Sequence, residues 1–330
     1  MSGQRDKTVA VIPGDGIGPE VVESALAVLD AAGAQFEKVF FDVGLGRWKR
    51  TGQAMGEDDF ERIKECDCVL FGAITSPSDP NYKSVLLRLR KELDLYANIR
   101  PFTSSDLDFI IVRENTEGLY SGIEDADDDE ARTVRVITRR GSERIAKKAC
   151  DLASSRKKLT IVHKSNVLKS DRLFLKTCQE VAKRWGVPYE DMLVDACAYN
   201  LVVRPKRFDI LVVTNLFGDI LSDEAAGIVG SLGLCASANI GDQYALFEPI
   251  HGSAPDIAGK GVSNPVGAIR SAAMMMEWLG NPEMAKGIED AVLRSLNGGW
   301  KTPDLGGSCS TAEVTKAIME HLSGGLASQS

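Results

Sequence analysis

The sequence predicts an α/β fold with a largely parallel sheet, on three observations. Short apolar runs of β-type composition recur along the chain, segments of helical apolar spacing separate them, and the first run passes through a glycine-rich turn into a helix. At 330 residues the chain can bury one large core or two smaller ones, and two domains are the expected organisation.

Taken in order, Val9 to Ile12 reads as a buried strand that enters the turn Pro13-Gly14-Asp15-Gly16-Ile17-Gly18-Pro19. Glu20 to Ala32 then carries helical spacing behind a proline that opens it. Further β-type runs lie at Cys68 to Phe71, Phe109 to Val112, Leu159 to Val162 and Ile210 to Val213, alternating with helix-like segments. The acidic stretch Glu124 to Glu130 reads as a loop, and the alternating Thr133 to Thr138 as an antiparallel strand after it. Met274-Met275-Met276 reads as core packing. The tails, Met1 to Asp6 and Ser323 to Ser330, are small or polar and are expected to fray.

The chain is 44% hydrophobic and 26% charged, with a net charge of -8. That balance offers no basic stripe for a phosphate backbone, so no nucleic-acid partner is expected. No apolar run approaches the roughly 20 residues that cross a bilayer, and Met1 to Thr8 lacks a signal peptide's apolar region, so the chain reads as cytoplasmic with no membrane partner. The seven cysteines are scattered and odd in number, which fits reduced structural thiols. Cys66 and Cys68 are too close for a zinc knuckle and have no second ligand pair nearby.

The glycine turn has G-x-G-x-G spacing and Pro19 opens the helix, so it fails the dinucleotide fingerprint. No Gly-Lys-Ser/Thr follows, so it is not a P-loop. Tight backbone geometry and ligand contact remain equal explanations for it.

Chemistry concentrates elsewhere. In Leu216-Phe217-Gly218-Asp219-Ile220-Leu221-Ser222-Asp223-Glu224 two carboxylates lie one helical turn apart on one face, after a β-run. Compensation of a helix dipole in a first turn explains this as well as a hard divalent cation does. Asp195, at the end of another apolar run, offers a third carboxylate. Arg90, Arg100 and Arg113 each sit in or beside an apolar segment, a setting suited either to a structural ion pair or to bidentate grip on a carboxylate. Three such arginines in an acidic chain favour a polycarboxylate substrate. Tyr120 and Lys164 are candidate proton handlers, although a snorkelling surface lysine explains Lys164 equally simply. His163 reads as a hydrogen-bonded core residue.

Together these segments resemble the β-decarboxylating dehydrogenases that act on 3-isopropylmalate, isocitrate, homoisocitrate and tartrate. The motifs are Val11-Ile12-Pro13-Gly14-Asp15-Gly16-Ile17-Gly18-Pro19-Glu20, Arg113-Glu114-Asn115-Thr116-Glu117-Gly118-Leu119-Tyr120 and His163-Lys164-Ser165-Asn166-Val167, followed by Asn215 to Asp223 and Glu248 to Gly259. The resemblance covers nearly the whole chain. It implies a two-domain, isopropylmalate-dehydrogenase-like fold with a mixed central sheet, distinct from the Rossmann fold. One discontinuous domain would comprise 1–98 and 234–330 and carry most of the NAD site. The other, 99–233, would carry the dimer interface, a clasp near 120–138 and the metal ligands.

The resemblance also assigns roles. Arg90, Arg100 and Arg113 would hold the malate carboxylates, with Ser84, Leu87 and Asn166 also at the substrate. Asp195, Asp219 and Asp223 would bind Mg²⁺ or Mn²⁺, and Tyr120, Lys164 and Asp195 would act in catalysis. Lys164 and Asp195 would serve the active site of the other subunit, making the catalytic unit a homodimer, alone or within a tetramer. The cofactor residues would be Ile12, Thr75, Glu248, His251, Gly252, Ser253, Ala254, Asp256, Ile257 and Asn264. Asp256 would accept the ribose hydroxyls, and with Ile257 it points to NAD over NADP.

Specificity is expected on the helix leading to Arg90, where Lys83, Leu86 and Leu87 share a face by spacing. Leu86 and Leu87 suit an isopropyl group, whereas Ser84 matches a serine of isocitrate enzymes. The segment Gly72 to Pro77 with Asn81 to Ser84 resembles the archaeal isopropylmalate and homoisocitrate branch most. Ser165 and Arg172 depart from the usual alanine and glycine beside the lysine motif. A noncatalytic regulatory subunit is the alternative of another class, and such chains lose the tyrosine, lysine or aspartates that are present here.

Overall fold

Strands and helices alternate along the chain, and two compact units divide them. The computed structural model describes residues 7–79, 81–155 and 158–326. Unit 1 comprises Met1–Leu89, Ser231–Ala238 and Gln243–Ser330; unit 2 comprises Arg90–Gly230 with Asn239–Asp242.

Unit 1 opens with β1 (Thr8–Gly14), α1 (Gly18–Ala31), β2 (Glu37–Phe40), α2 (Leu45–Thr51), α3 (Glu57–Lys64) and β3 (Cys68–Ala73). Helix α4 (Val85–Glu92) carries the chain into unit 2. There follow β4 (Ala97–Thr103), β5 (Asp108–Glu114), β6 (Glu124–Ala126), β7 (Ala131–Thr133), α5 (Arg139–Ala153), β8 (Leu159–His163) and α6 (Lys169–Trp185). Unit 2 continues through β9 (Tyr189–Leu193), α7 (Val194–Val203), β10 (Ile210–Val213) and α8 (Asn215–Val229). Strand β11 (Ala236–Ile240) begins in unit 1 and ends in unit 2; β12 (Ala245–Pro249), α9 (Val266–Trp278), α10 (Pro282–Asn297) and α11 (Thr311–Leu326) complete unit 1.

In unit 1 the strand order is β2-β1-β3-β12, all parallel. In unit 2 it is β4-β5-β10-β8-β9, with β4 antiparallel to β5 and the other pairs parallel. The sheet is therefore mixed, as expected, and its order is not that of a Rossmann domain. The parallel strands are the apolar runs: β8 and β10 are buried over their whole length, as parallel strands covered on both faces must be. In unit 1, α1 packs on α9 and α11, and α10 on both of these; in unit 2, α5 lies on β5 and β10, and α8 on β4 and β5. Met275 and Met276 are buried in α9, so the methionine run is core.

Three local expectations change. The acidic stretch is not simply a loop: Glu124–Ala126 is a strand, paired antiparallel with Ala131–Thr133 around a turn that Asp127 caps by accepting the Asp129 and Glu130 amides. Thr133 to Thr138 mostly is not a strand: beyond Thr133 it makes one isolated bridge, Val136 to Gly118, and Thr138 caps α5 by accepting from the Gly141 amide. Lys83 lies before α4 begins at Val85, so it does not share a helical face with Leu86 and Leu87. Of the tails, Ser323 to Leu326 continue α11, and the outer residues of both lie outside the described residues. Among the described residues no helix is long and apolar enough to cross a membrane, and all seven cysteines are thiols, six of them buried.

Candidate active site

The glycine turn serves backbone packing. A Cβ on Gly14 would stand 1.9 Å from the Ala73 carbonyl oxygen, and its φ of +75° lies in the left-handed region. Asp15 between the glycines accepts the amides of Leu45 at 2.9 Å, Gly46 at 3.0 Å and Thr75 at 3.1 Å, tying α2 and the loop after β3 to the turn.

Of the candidate cofactor residues, Thr75 and Ser253 bond to this turn, Thr75 through its amide and Ser253 through its carbonyl. Ile12 is buried in β1 and Glu248 in β12. Thr75 Oγ1 is 2.6 Å from Ser253 Oγ, and the Ser253 carbonyl accepts the Ile17 amide. Ala254 holds a φ of +36° beside exposed Gly252, at the start of the turn that presents exposed Asp256 and half-buried Ile257. His251 Nδ1 is 2.9 Å from the Gly252 carbonyl and so carries the proton; Nε2 is buried without a partner, and burial holds the ring's pKa below its usual value. Asn264 donates to Asp304 at 3.0 Å and accepts the Val266 amide at 3.1 Å.

The acidic pair occupies unit 2. α8 begins at Asn215, which makes Asp219 its fifth residue and puts no acidic residue in its first turn. Dipole compensation therefore does not account for the pair; it does apply to Asp195, the second residue of α7. Cross-strand register places Asn98 of β4 opposite Arg113 of β5, so Asn98, Arg100 and Arg113 project from one face of the sheet. Arg113 (1% exposed) grips Asn215 Oδ1 through Nε at 3.0 Å and Nη2 at 2.7 Å, while its Nη1 makes a close ion pair with Asp219 Oδ1. Arg100 donates Nε to Asn98 Oδ1 at 2.6 Å and approaches the same Asp219 oxygen at 3.4 Å. Tyr120 donates its hydroxyl to Asp219 Oδ2 at 2.8 Å, with the Arg113 guanidinium over its ring.

The electrostatics follow from these contacts. Burial works to raise the pKa of Asp219, but the charges of Arg113 and Arg100, the Tyr120 hydrogen bond and the charge of Arg90 outweigh it, so the carboxyl titrates below its ordinary range. Asp223 is pushed upward, by partial burial and then by the charge of Asp219. The Tyr120 phenol is raised by burial and by its bond to Asp219.

Lys164 follows β8 and donates Nζ to Asp195 Oδ1 at 2.7 Å; that hydrogen bond draws the Asp195 pKa down. His163 is buried, accepting the Ser165 amide at Nδ1 and facing Asp191 with Nε2 at 3.2 Å. Asn166 is exposed in the turn after Lys164, and Arg172 Nε donates to the Ser165 carbonyl at 3.0 Å, so the two unusual residues of this motif contact each other. Among the described residues, no three His, Cys, Asp or Glu side chains of one chain gather as a metal site, and Asp195 does not join Asp219 and Asp223 within one chain. Arg90 is buried near the C-terminal end of α4, whose first turn displays Leu87 on the surface; Ser84 Oγ faces the Leu87 amide at 3.4 Å.

A buried set of amides behind the arginines was not expected from the sequence. Asn98 and Asn115 both donate to Asn239 Oδ1, at 2.6 and 2.9 Å, in a buried set beneath Arg100. Gly218 lets α8 approach Arg113, since a Cβ there would stand 2.8 Å from Arg113 Cγ. The alternation Asn98-x-Arg100 on one strand face was the available signal for the first.

The chain was also compared with known proteins. The family model described as isocitrate/isopropylmalate dehydrogenase matches residues 8–318. The chain is 46% identical to homoisocitrate dehydrogenase of Methanocaldococcus jannaschii, over 95% of this chain and 97% of that one. It is 49% identical to isocitrate/homoisocitrate dehydrogenase of Thermus thermophilus, over 95% and 98%. The crystal structure of isocitrate dehydrogenase from Methylococcus capsulatus superposes with a TM-score of 0.92 at 45% identity, covering 96% of this chain and 99% of that one. The chain belongs to the isocitrate/isopropylmalate dehydrogenase family, enzymes that oxidise and decarboxylate a hydroxy acid.

Proposed function

We propose that the chain catalyses NAD-dependent oxidative decarboxylation of a 3-substituted malate, 3-isopropylmalate or homoisocitrate, giving a 2-oxo acid, CO₂ and NADH. The observation that carries the reading is the convergence of buried Arg100, buried Arg113 and Tyr120 on Asp219, one helical turn from Asp223. Buried guanidiniums that share a sheet face suit a polycarboxylate anion.

The donor set fits a hard divalent cation, Mg²⁺ or Mn²⁺. Asp219 and Asp223 offer carboxylate oxygens, and the upward push on Asp223 from its neighbour is the repulsion a cation relieves. The third ligand, Asp195, would come from a second copy, which also brings Lys164. Supporting a homodimer, α7 and α8 pack together and leave Tyr199, Val202, Val203 and Ile220 exposed. The exposed β6–β7 hairpin, with Ile123 and Val134 uncovered beside it, suits an intersubunit clasp, since an isolated two-stranded hairpin is marginal alone.

When bound, NAD supplies the hydride acceptor and the cation the electrophile that favours loss of CO₂. Arg90, Arg100 and Arg113 hold the substrate carboxylates. Lys164 passes its ammonium proton to Asp195, to which it is hydrogen-bonded, and as the neutral amine takes the hydroxyl proton; Tyr120 delivers its phenolic proton to the carbon that CO₂ leaves. Exposed Asp256 accepts the ribose hydroxyls and repels a 2′-phosphate, favouring NAD over NADP. Ile12, Thr75, Glu248, His251 to Ala254, Ile257 and Asn264 complete that cofactor's pocket.

Isocitrate is the second reading, favoured by Ser84 at the opening of α4 and by the name of the Thermus relative. The test is NADH formation with Mn²⁺ from 3-isopropylmalate, homoisocitrate and isocitrate in parallel. Turnover highest with either of the first two supports the reading; turnover of isocitrate alone replaces the substrate; none with any acid overturns it.

A further inference from the structure

A buried ion pair between Arg135 and Asp171 holds the loop that carries Lys164. Asp171, the third residue of α6, is fully buried, and a buried carboxylate is tolerated only with partners for its charge. Its Oδ2 accepts the main-chain amide of Lys164 at 2.6 Å, and its Oδ1 accepts Arg135 Nη1 at 2.5 Å. The Lys164 carbonyl in turn accepts the amides of Val167 at 3.1 Å and Leu168 at 2.9 Å. The backbone is thus fixed on both sides of the Lys164 Cα, leaving only the side-chain torsions to place Nζ.

Arg135 extends the hold to a second element. Nη1 also reaches Ser170 Oγ at 2.7 Å, Nη2 reaches Thr214 Oγ1 at 2.9 Å, and the guanidinium lies 5.1 Å over the Phe217 ring. Thr214 is the N-cap position of α8, the helix that carries Asp219 and Asp223, and it makes no capping bond of its own. One side chain, from the segment after β7, therefore joins the start of α6, and through it Lys164, to the start of α8.

We propose that Arg135 and Asp171 are positioning residues that set Lys164 for proton transfer. This rests on the function proposed above; it goes beyond it by assigning residues that touch neither substrate nor cofactor. A misplacement of about 1 Å in a proton-transfer group costs on the order of 10²-fold in rate, so the loss belongs in kcat. Both residues act directly on the Lys164 backbone and reach α8 only through Thr214, so the loss in kcat should exceed any change in KM.

The experiment compares the wild-type chain with Arg135→Met, Arg135→Lys and Asp171→Asn, by steady-state kinetics with Mn²⁺ and by hydrogen exchange read by mass spectrometry. Arg135→Met should lower kcat at least about tenfold with KM within about threefold, and residues 164–171 should exchange faster while β1 and α9 do not. Arg135→Lys keeps the charge beside Asp171 but loses the fork to Thr214, so its kcat should fall between the two. Asp171→Asn removes the charge-assisted bond to Lys164 and should match Arg135→Met. Unchanged kcat in folded Arg135→Met, or a loss confined to KM, overturns the proposal. If the wild-type chain turns over none of the acids, the function reading fails by itself; unchanged exchange of 164–171 in Arg135→Met and Asp171→Asn then overturns the anchoring as well.

Discussion

Neutralising the two aspartates of α8 one at a time should move apo stability in opposite directions. In Asp219→Asn, Arg113 and Arg100 lose the carboxylate charge beside them while staying buried. Removing one partner of a buried ion pair costs about 3–5 kcal/mol. The Asp219 side chain is 38% exposed, and water screens part of that loss, so about 1–2 kcal/mol is expected. The folded pKa of Asp219 lies below its ordinary 3.8. Its contribution is therefore present above that value and lost as pH falls through the folded pKa. Asp223 has the opposite sign: its folded pKa lies above 3.8, so ionising it costs stability as pH rises through that window, and Asp223→Asn should raise the apo midpoint. Urea unfolding near neutral pH, with chelator and then with Mn²⁺, reads both effects. Mn²⁺ at about 100 times its Kd should add about 2.7 kcal/mol to the wild-type chain and little to either variant. An Asp219→Asn midpoint at or above wild type in chelator would show that the buried arginines do not depend on that carboxylate.

Other substitutions test single contacts. Gly218→Ala gains about 1 kcal/mol of helix propensity but drives its methyl into Arg113; KM for the acid should rise about tenfold, and an unchanged KM would count against Arg113 as a carboxylate ligand. Tyr120→Phe removes the hydroxyl that donates to Asp219 and should lower kcat by about 10²–10⁴-fold with the unfolding free energy from urea titration changed by under about 1 kcal/mol. Mixing inactive Lys164→Met with inactive Asp219→Asn after subunit exchange should restore about a quarter of wild-type activity, because half the dimers are mixed and each holds one intact site. No recovery in verified mixed dimers would mean that each chain builds its site alone.

What could be read from the sequence depended on the range of the interaction. β8 and β10 were legible because a parallel strand covered on both faces is a short apolar run, and α1 because a proline behind a glycine turn opens it. The spacing of Asp219 and Asp223 put them on one helical face, but their depth in α8 decided against the dipole explanation, and only the placement of the helix start at Asn215 supplied it. Lys83 was misplaced for the same reason, a helix boundary set by local geometry at Val85. The acidic hairpin went unseen because its polar, exposed residues carry no alternation of burial. Asp15, Asn239 and Arg135 reach partners tens of residues away, and Asp171 joins Arg135 to the Lys164 amide, contacts that no residue pattern encodes. The convergence of Arg100, Arg113 and Tyr120 on one oxygen pair likewise needed strand register before it could be drawn.

The most direct measurement supplies the hydroxy acid labelled at the carboxyl group that would be lost, and counts CO₂ released against NADH formed. One CO₂ should appear for each NADH, with both lost together in Asp219→Asn. NADH without CO₂ would make the chain a simple hydroxy-acid dehydrogenase and contradict the roles given to the acidic pair and Tyr120.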